Sequence, residues 1–178
     1  MHLETERLVI RKYLSEDADD YFRLKSCADV WVFSTDAPKT EPQAARDELL
    51  RLIEAQAQAD IGFCAVTIKA SGEFIGEAGI LSINKNAGRG VIGYNLLPAF
   101  WHKGYATEIA QALIRYAFDV LDLHRVEALA MQDNAASCRV LEKAGMLREG
   151  VLLDFARKNG AYHNVCYYGL IRSDDRAK

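Results

Sequence analysis

No window of this 178-residue chain approaches the roughly 18 uninterrupted apolar residues that would read as a membrane-spanning helix. The N-terminus, MHLETERLVI, carries an early glutamate and no long apolar run, so it does not read as a signal peptide. The chain also lacks a basic excess. Its net charge is −3, which gives no overall footprint for nucleic acid. Four cysteines, at 27, 64, 138 and 166, have no metal-ligand spacing and read as reduced thiols. There is no internal repeat, low-complexity tract or linker. The expectation is one cytoplasmic domain over residues 1–178, with no metal, nucleic acid or membrane partner, as a monomer or homodimer.

What is present suits a sizeable core: 50% of residues are hydrophobic and 26% charged. Residues 3–12 (LETERLVIRK) read as a strand near their end, with Leu8 and Ile10 on one face. A helix follows with Ser15 as its cap, and a second runs from about 42 to 59. The period then changes. IGFCAVTIK (61–69), EFIGEAGILSI (73–83) and VIGYNLL (91–97) read as strands, the last stopped by Pro98. Ile109, Leu113, Ala117 and Val120 mark a helix over 103–121. HRVEALAM (124–131) is a strand, Asn134 caps a helix over 135–144, and a final hairpin folds around KNG, 158–160. The order predicts an α/β (α+β) domain with a mixed, mostly antiparallel sheet. The unit 91–131 is its parallel crossover.

Two glycine patterns compete for a phosphate. GRGVIG, 88–93, matches a dinucleotide fingerprint letter for letter, but it enters a strand and opens no helix. It reads as a turn. HKGYAT, 102–107, lies between a strand end and a helix start. There the first turn has unpaired N–H groups and the positive end of the helix dipole, and Gly104 lets an anion approach the backbone. A plain loop glycine is the alternative.

Several stretches, in order along nearly the whole chain, resemble the GNAT-fold N-acetyltransferases, in particular the RimJ/RimL-like branch. They are TERLVIRKYLSEDADDYF (5–22), GEFIGEAGI (72–80), VIGYNLLPAFWHKGYATEIAQALIRYAF (91–118), LHRVEALAMQDNAASCRVLEKAGMLREG (123–150) and NGAYHNVCYYGLI (159–171). That branch acetylates N-terminal amines of ribosomal proteins and other amines. The resemblance implies a GNAT fold with splayed central strands and acetyl-CoA as donor. It implies that the pyrophosphate lies on the backbone of His102, Lys103, Gly104, Tyr105, Ala106 and Thr107. The main chain of Asn95, Leu96 and Leu97 would hold the pantetheine, with Asn134 beside it and Ser137 near the sulfur. Two departures stand out. The family usually has glycine at His102, and many relatives have glutamate at Val91, a frequently proposed base.

Acetyl transfer to an amine needs the amine deprotonated and positioned, the oxyanion held and the thiolate stabilised. Leu141 stands where other acetyltransferase branches carry a tyrosine acid, so Ser137 is the substitute hydroxyl, though a weak acid. For the base, Glu77 lies on a strand apolar on both faces, where a carboxylate must be paired, perturbed or open to a cleft. It reads either as catalytic or as the partner of an arginine such as Arg11. Asp154, His163 and a water chain compete. Arg139 and Lys143, four apart, share a helix face that would suit the 3′-phosphate or simply solvent. Segments 27–45 and 158–164, with Trp31, Val32, Phe33, Tyr162 and His163, are the expected acceptor walls. The expected acceptor is an amine: a protein N-terminus, such as that of a ribosomal protein, a polyamine, an aminoglycoside or an amino acid. An acyl-CoA-binding domain without catalysis is the rival reading.

Overall fold

Among the described residues, alternation along the strands and apolar stripes on the helices build two main apolar cores on opposite faces of one sheet, with a small third cluster of Met131, Ala156 and Val165. The computed structural model describes residues 1–58 and 61–172. Its elements are β1 (His2–Glu4), β2 (Leu8–Arg11), α1 (Ala18–Ser26), α2 (Pro42–Gln58), β3 (Gly62–Ile68), β4 (Phe74–Asn84), β5 (Arg89–Leu96), α3 (Tyr105–Asp119), β6 (Arg125–Met131), α4 (Ala135–Lys143), β7 (Leu147–Lys158) and β8 (Ala161–Ile171). The eight strands form one sheet in the order β1-β2-β3-β4-β5-β6-β8-β7. Among the described residues only β5 and β6 are parallel, joined through α3, as the sequence order predicts.

The alternation is plain on β3. Cys64 and Val66 join the core under α3 and α4, while Ala65 joins the core under α1 and α2. Ile109, Leu113 and Ala117 of α3 are fully buried in the first core. Tyr21 and Leu24 of α1 meet Leu49 of α2 in the second.

The strand expected near the end of 3–12 is β2, with Leu8 and Ile10 on its buried face. Ahead of it the structure adds β1 in a hairpin, because the Thr5 hydroxyl accepts from the Leu8 N–H at 2.9 Å and closes the turn locally. Two expectations are corrected. Ser15 is not a helix cap. It opens a short 3₁₀ turn, and α1 starts at Ala18, while the Asp17 carboxylate accepts from the Leu14 N–H at 2.8 Å. Val120 lies beyond the end of α3 and is 65% exposed. Residue 59, the expected end of the second helix, lies outside the described residues.

GRGVIG is a turn and strand entry: Gly88 sits at φ 60 and β5 starts at Arg89. The last hairpin closes through Asn159 and Gly160, both at positive φ, as a two-residue Asn-Gly loop demands. Among the described residues no helix is long and apolar enough to cross a membrane.

Candidate active site

Strand β5 pairs with β4 over its whole length but with β6 only from Arg89 to Val91, opposite Arg125 to Glu127. Beyond Val91 the two parallel strands part, and the β6 side of β5 opens into a wedge. Pro98 then starts a single 3₁₀ turn, which ends the strand. The Trp101 indole folds back and donates to the Leu96 carbonyl at 2.7 Å, pinning the loop that follows.

In that loop His102 has φ 60 and Gly104 has φ 82. Gly104 is the cap of α3, with no side-chain hydrogen bond to the first turn. Among the described residues the first amides of α3 therefore have no capping side chain at the positive end of its dipole. The left-handed backbone gives His102 a physical meaning. The resemblance puts glycine at this position, and a side chain there carries strain of about 1–2 kcal/mol. Because glycine also adds unfolded-state entropy of similar size, His102→Gly should change stability by no more than about 1 kcal/mol and keep donor affinity. A tenfold weaker affinity in calorimetry would show that the imidazole itself contacts the ligand.

Across the wedge stands α4. Asn134 caps it, its side-chain oxygen accepting from the Ser137 N–H at 3.0 Å. The Ser137 hydroxyl lies 3.0 Å from the Tyr94 hydroxyl, which reaches over from β5. Burial pushes the Tyr94 phenol up to about 12, with its hydrogen bond to Ser137 acting the other way. Sequence reasoning missed Tyr94, although its parity with Ile92 and Leu96 aims it at this side of the sheet. Cys138 is half-buried beside Ser137, and burial raises its thiol, so it is no ready nucleophile.

The three expected pantetheine residues are not equally free. The Leu97 N–H donates to Ile75 at 2.9 Å, and the Leu96 carbonyl is taken by Trp101. Asn95 is in register with Glu77 of β4. The alternation of an antiparallel ladder leaves the Leu96 N–H facing the wedge. Arg139 and Lys143 are both exposed on α4, with no ion pair among the described residues.

On the opposite face lies Glu77, 0% exposed. Its Oε1 accepts from Lys25 Nζ and from Asn95 Nδ2, each at 2.8 Å, and its Oε2 accepts from the Tyr13 hydroxyl at 3.1 Å. The expected partner Arg11 is instead forked onto Asp17, at 2.7 and 2.8 Å. Of the two readings of Glu77, the structure shows the paired one in geometry, with Lys25 in the place expected for an arginine. Lys25 is itself nearly buried. Its ammonium stands 4.7 Å from the Trp31 ring, 5.1 Å from Tyr21 and 5.5 Å from Phe63. Beside it is a polar pocket of about 270 Å³, lined by Lys25, Trp31, Asp36, Ala37, Lys39 and Glu48.

The Lys158 ammonium donates to the carbonyls of Trp31 and Ser34, so the final hairpin holds the loop after α1 against this pocket. The two expected acceptor walls do meet. Trp31 is core, whereas Val32, Phe33 and Tyr162 are exposed and His163 is half-buried. Asp154 is exposed at a bulge in β7 with φ 50. Glu127 lies across the parallel ladder from Val91, but Arg125 at 2.8 Å and Arg89 at 3.4 Å hold it. Burial would raise its carboxyl; the arginines outweigh that and keep it low, which makes it a weak base.

A model of the acetyltransferase (GNAT) domain matches residues 7–147. The chain belongs to the GNAT acetyltransferase family. It is 32% identical over 172 residues to the uncharacterized N-acetyltransferase p20 of Bacillus licheniformis, covering 97% of each chain. The crystal structure of a GNAT-family acetyltransferase from Bacillus anthracis superposes with a TM-score of 0.87 at 26% identity, over 98% of this chain and 100% of that one. RimL, a ribosomal L7/L12 alpha-N-protein acetyltransferase crystallised with coenzyme A, shares the fold with a TM-score of 0.85 at 22% identity, over 96% and 98%. The activity class of this GNAT protein is N-acetyltransferase. Its wedge, left-handed loop and α4 hydroxyl all lie within or beside β5 to α4, inside the matched residues.

Proposed function

We propose that the protein transfers the acetyl group of acetyl-CoA directly to a primary amine, held with the donor in one ternary complex. The acceptor class is a protein N-terminal amine or a small-molecule amine. The observation that carries this reading is continuity. Strand β5 leaves β6 and runs straight into a pinned loop whose bare amides open α3. A thioester arm in the wedge and a pyrophosphate on residues 102–107 fit the two halves of that feature. The Leu96 N–H faces the arm, Asn134 holds the start of α4 beside it, and Arg139 and Lys143 offer cations to the 3′-phosphate. The whole chain, 1–178, acts as one domain.

In the transfer, the amine nitrogen attacks the thioester carbonyl carbon. The C–N bond forms, the C–S bond breaks with its electron pair leaving as the coenzyme A thiolate, and the proton shed by nitrogen passes to solvent water, from which the thiolate is protonated. Ser137, oriented by the Tyr94 hydroxyl, donates a hydrogen bond to the departing thiolate. The pair answers the weakness of serine alone, since a phenol is the stronger acid of the two. Glu77 acts as a positioning residue. It neutralises Lys25 and holds Asn95 on the strand that lines the wedge. The raised Cys138 thiol supports direct attack over a covalent acetyl-enzyme.

Release of free thiol from acetyl-CoA, followed across a panel of amines and N-terminal peptides, tests the reading. At least one acceptor should give turnover. Ser137→Ala should lower kcat by about 10- to 100-fold at unchanged acetyl-CoA affinity. Tight acetyl-CoA binding with no turnover on any acceptor would leave a binding domain in place of an enzyme.

A further inference from the structure

Arg7 lies far from the loop in sequence, on the turn between β1 and β2, yet it is built into the mouth of α3. Its Nη1 donates to the Lys103 carbonyl at 3.0 Å. Its Nε donates to Glu108 Oε2 at 2.7 Å, its Nη2 lies 2.7 Å from the same oxygen, and its backbone N–H donates to Oε1 at 2.9 Å. The Thr5 hydroxyl adds a fourth contact to that carboxylate at 2.6 Å. The guanidinium lies over the Tyr105 ring, 4.5 Å from its centroid. Its Nη2 is 3.4 Å from the point where a Cβ on Gly104 would stand.

We propose that Arg7 belongs to the donor site: it sets the peptide between Lys103 and Gly104 and neutralises Glu108, so that the incoming diphosphate meets the bare amides without an uncompensated carboxylate beside them. The proposal rests on the acetyl-CoA reading above. Three physical points carry it. A trans peptide points its C=O and N–H in opposite directions. Holding the Lys103 carbonyl on one side therefore turns the Gly104 N–H to the other, out of the loop. Second, the loop keeps His102 and Gly104 at positive φ, a conformation that persists only when its surroundings fix it. Arg7 fixes its far end as Trp101 fixes its near end. Third, Glu108 in the first turn would place a negative charge next to an arriving anion. Burial would raise that carboxyl, but the bonds from Thr5 and Arg7 outweigh burial and keep it ionised, so the charge is real and needs its cation.

The basic residue inside the motif is less well placed. The Lys103 ammonium stands over the Phe100 ring at 5.4 Å, and its carbonyl, not its side chain, is the part tied into the mouth. Arg7, rather than the Lys103 side chain, is the basic group built into the mouth of α3.

The test compares two ligands that share the thiol arm, coenzyme A and pantetheine, which has no phosphate. Arg7→Ala should raise the coenzyme A Kd by roughly 10- to 100-fold, the scale of one charge-assisted contact. The pantetheine inhibition constant should stay within about twofold, because its groups do not reach the mouth of α3. Arg7→Lys keeps the charge without the fork, so its Kd should fall between wild type and Arg7→Ala; it also carries the test if the alanine variant does not fold. An unchanged coenzyme A Kd, or equal losses for both ligands, overturns the proposal while leaving the donor reading intact. Wild-type protein that binds neither ligand overturns both.

Discussion

Lys25→Met should remove about 3–5 kcal/mol of folding stability, read as a lower urea midpoint at unchanged slope. The side chain of Lys25 is only 11% exposed and that of Glu77 not at all. Methionine fills the stem's space but leaves the carboxylate buried with two neutral donors, Tyr13 and Asn95. Glu77→Gln leaves the opposite charge stranded and should cost a similar amount. The double variant, with neither charge, should recover most of the loss, because replacing both partners of a buried pair is often nearly neutral. That non-additivity is the signature of one ion pair rather than two independent side chains. If each single change costs less than about 1 kcal/mol, the pair is solvated in solution and Glu77 is again available as a base. The distinction matters for kinetics. A rate loss in Glu77→Gln means little until the variant is shown to be folded.

The sequence carries this fold unevenly, for identifiable reasons. Strands β3 to β8 and helices α3 and α4 follow from periodicity and local punctuation: Pro98 after β5, Asn134 before α4, Asn159-Gly160 between β7 and β8. The β1–β2 turn has no such mark. Thr5, Glu6 and Arg7 at its centre carry no glycine, proline or asparagine, and the Thr5 to Leu8 bonds make the reversal. The wedge and the loop are legible because their chemistry lies in one continuous run, 91–107. The charge partners are not, because they are tertiary. Lys25 reads as an ordinary basic residue in the last turn of a helix. Its carboxylate lies on β4, and no spacing rule connects the two. Arg7 and Glu108 are separated in the same way. Tyr94 is the intermediate case. Its parity was readable, but the hydroxyl across from it sits on another element.

Gly104→Glu should weaken acetyl-CoA binding by at least about 100-fold in calorimetry while the protein stays folded. Three effects act together. A side chain at φ 82 adds roughly 1–2 kcal/mol of backbone strain. Its Cβ would sit 3.4 Å from the Arg7 guanidinium, so the carboxylate would compete for the cation that now balances Glu108. Its charge would also occupy the bare amides at the start of α3, where the diphosphate is proposed to lie. Gly104→Ala separates these effects, since it carries the strain without the charge, and its affinity loss should be about tenfold or less. The strain is local to an exposed loop, so the thermal midpoint of either variant should drop by only a few degrees. Wild-type affinity in the glutamate variant would mean that the mouth of α3 does not hold the donor's phosphates. The wedge between β5 and β6 would then need another occupant.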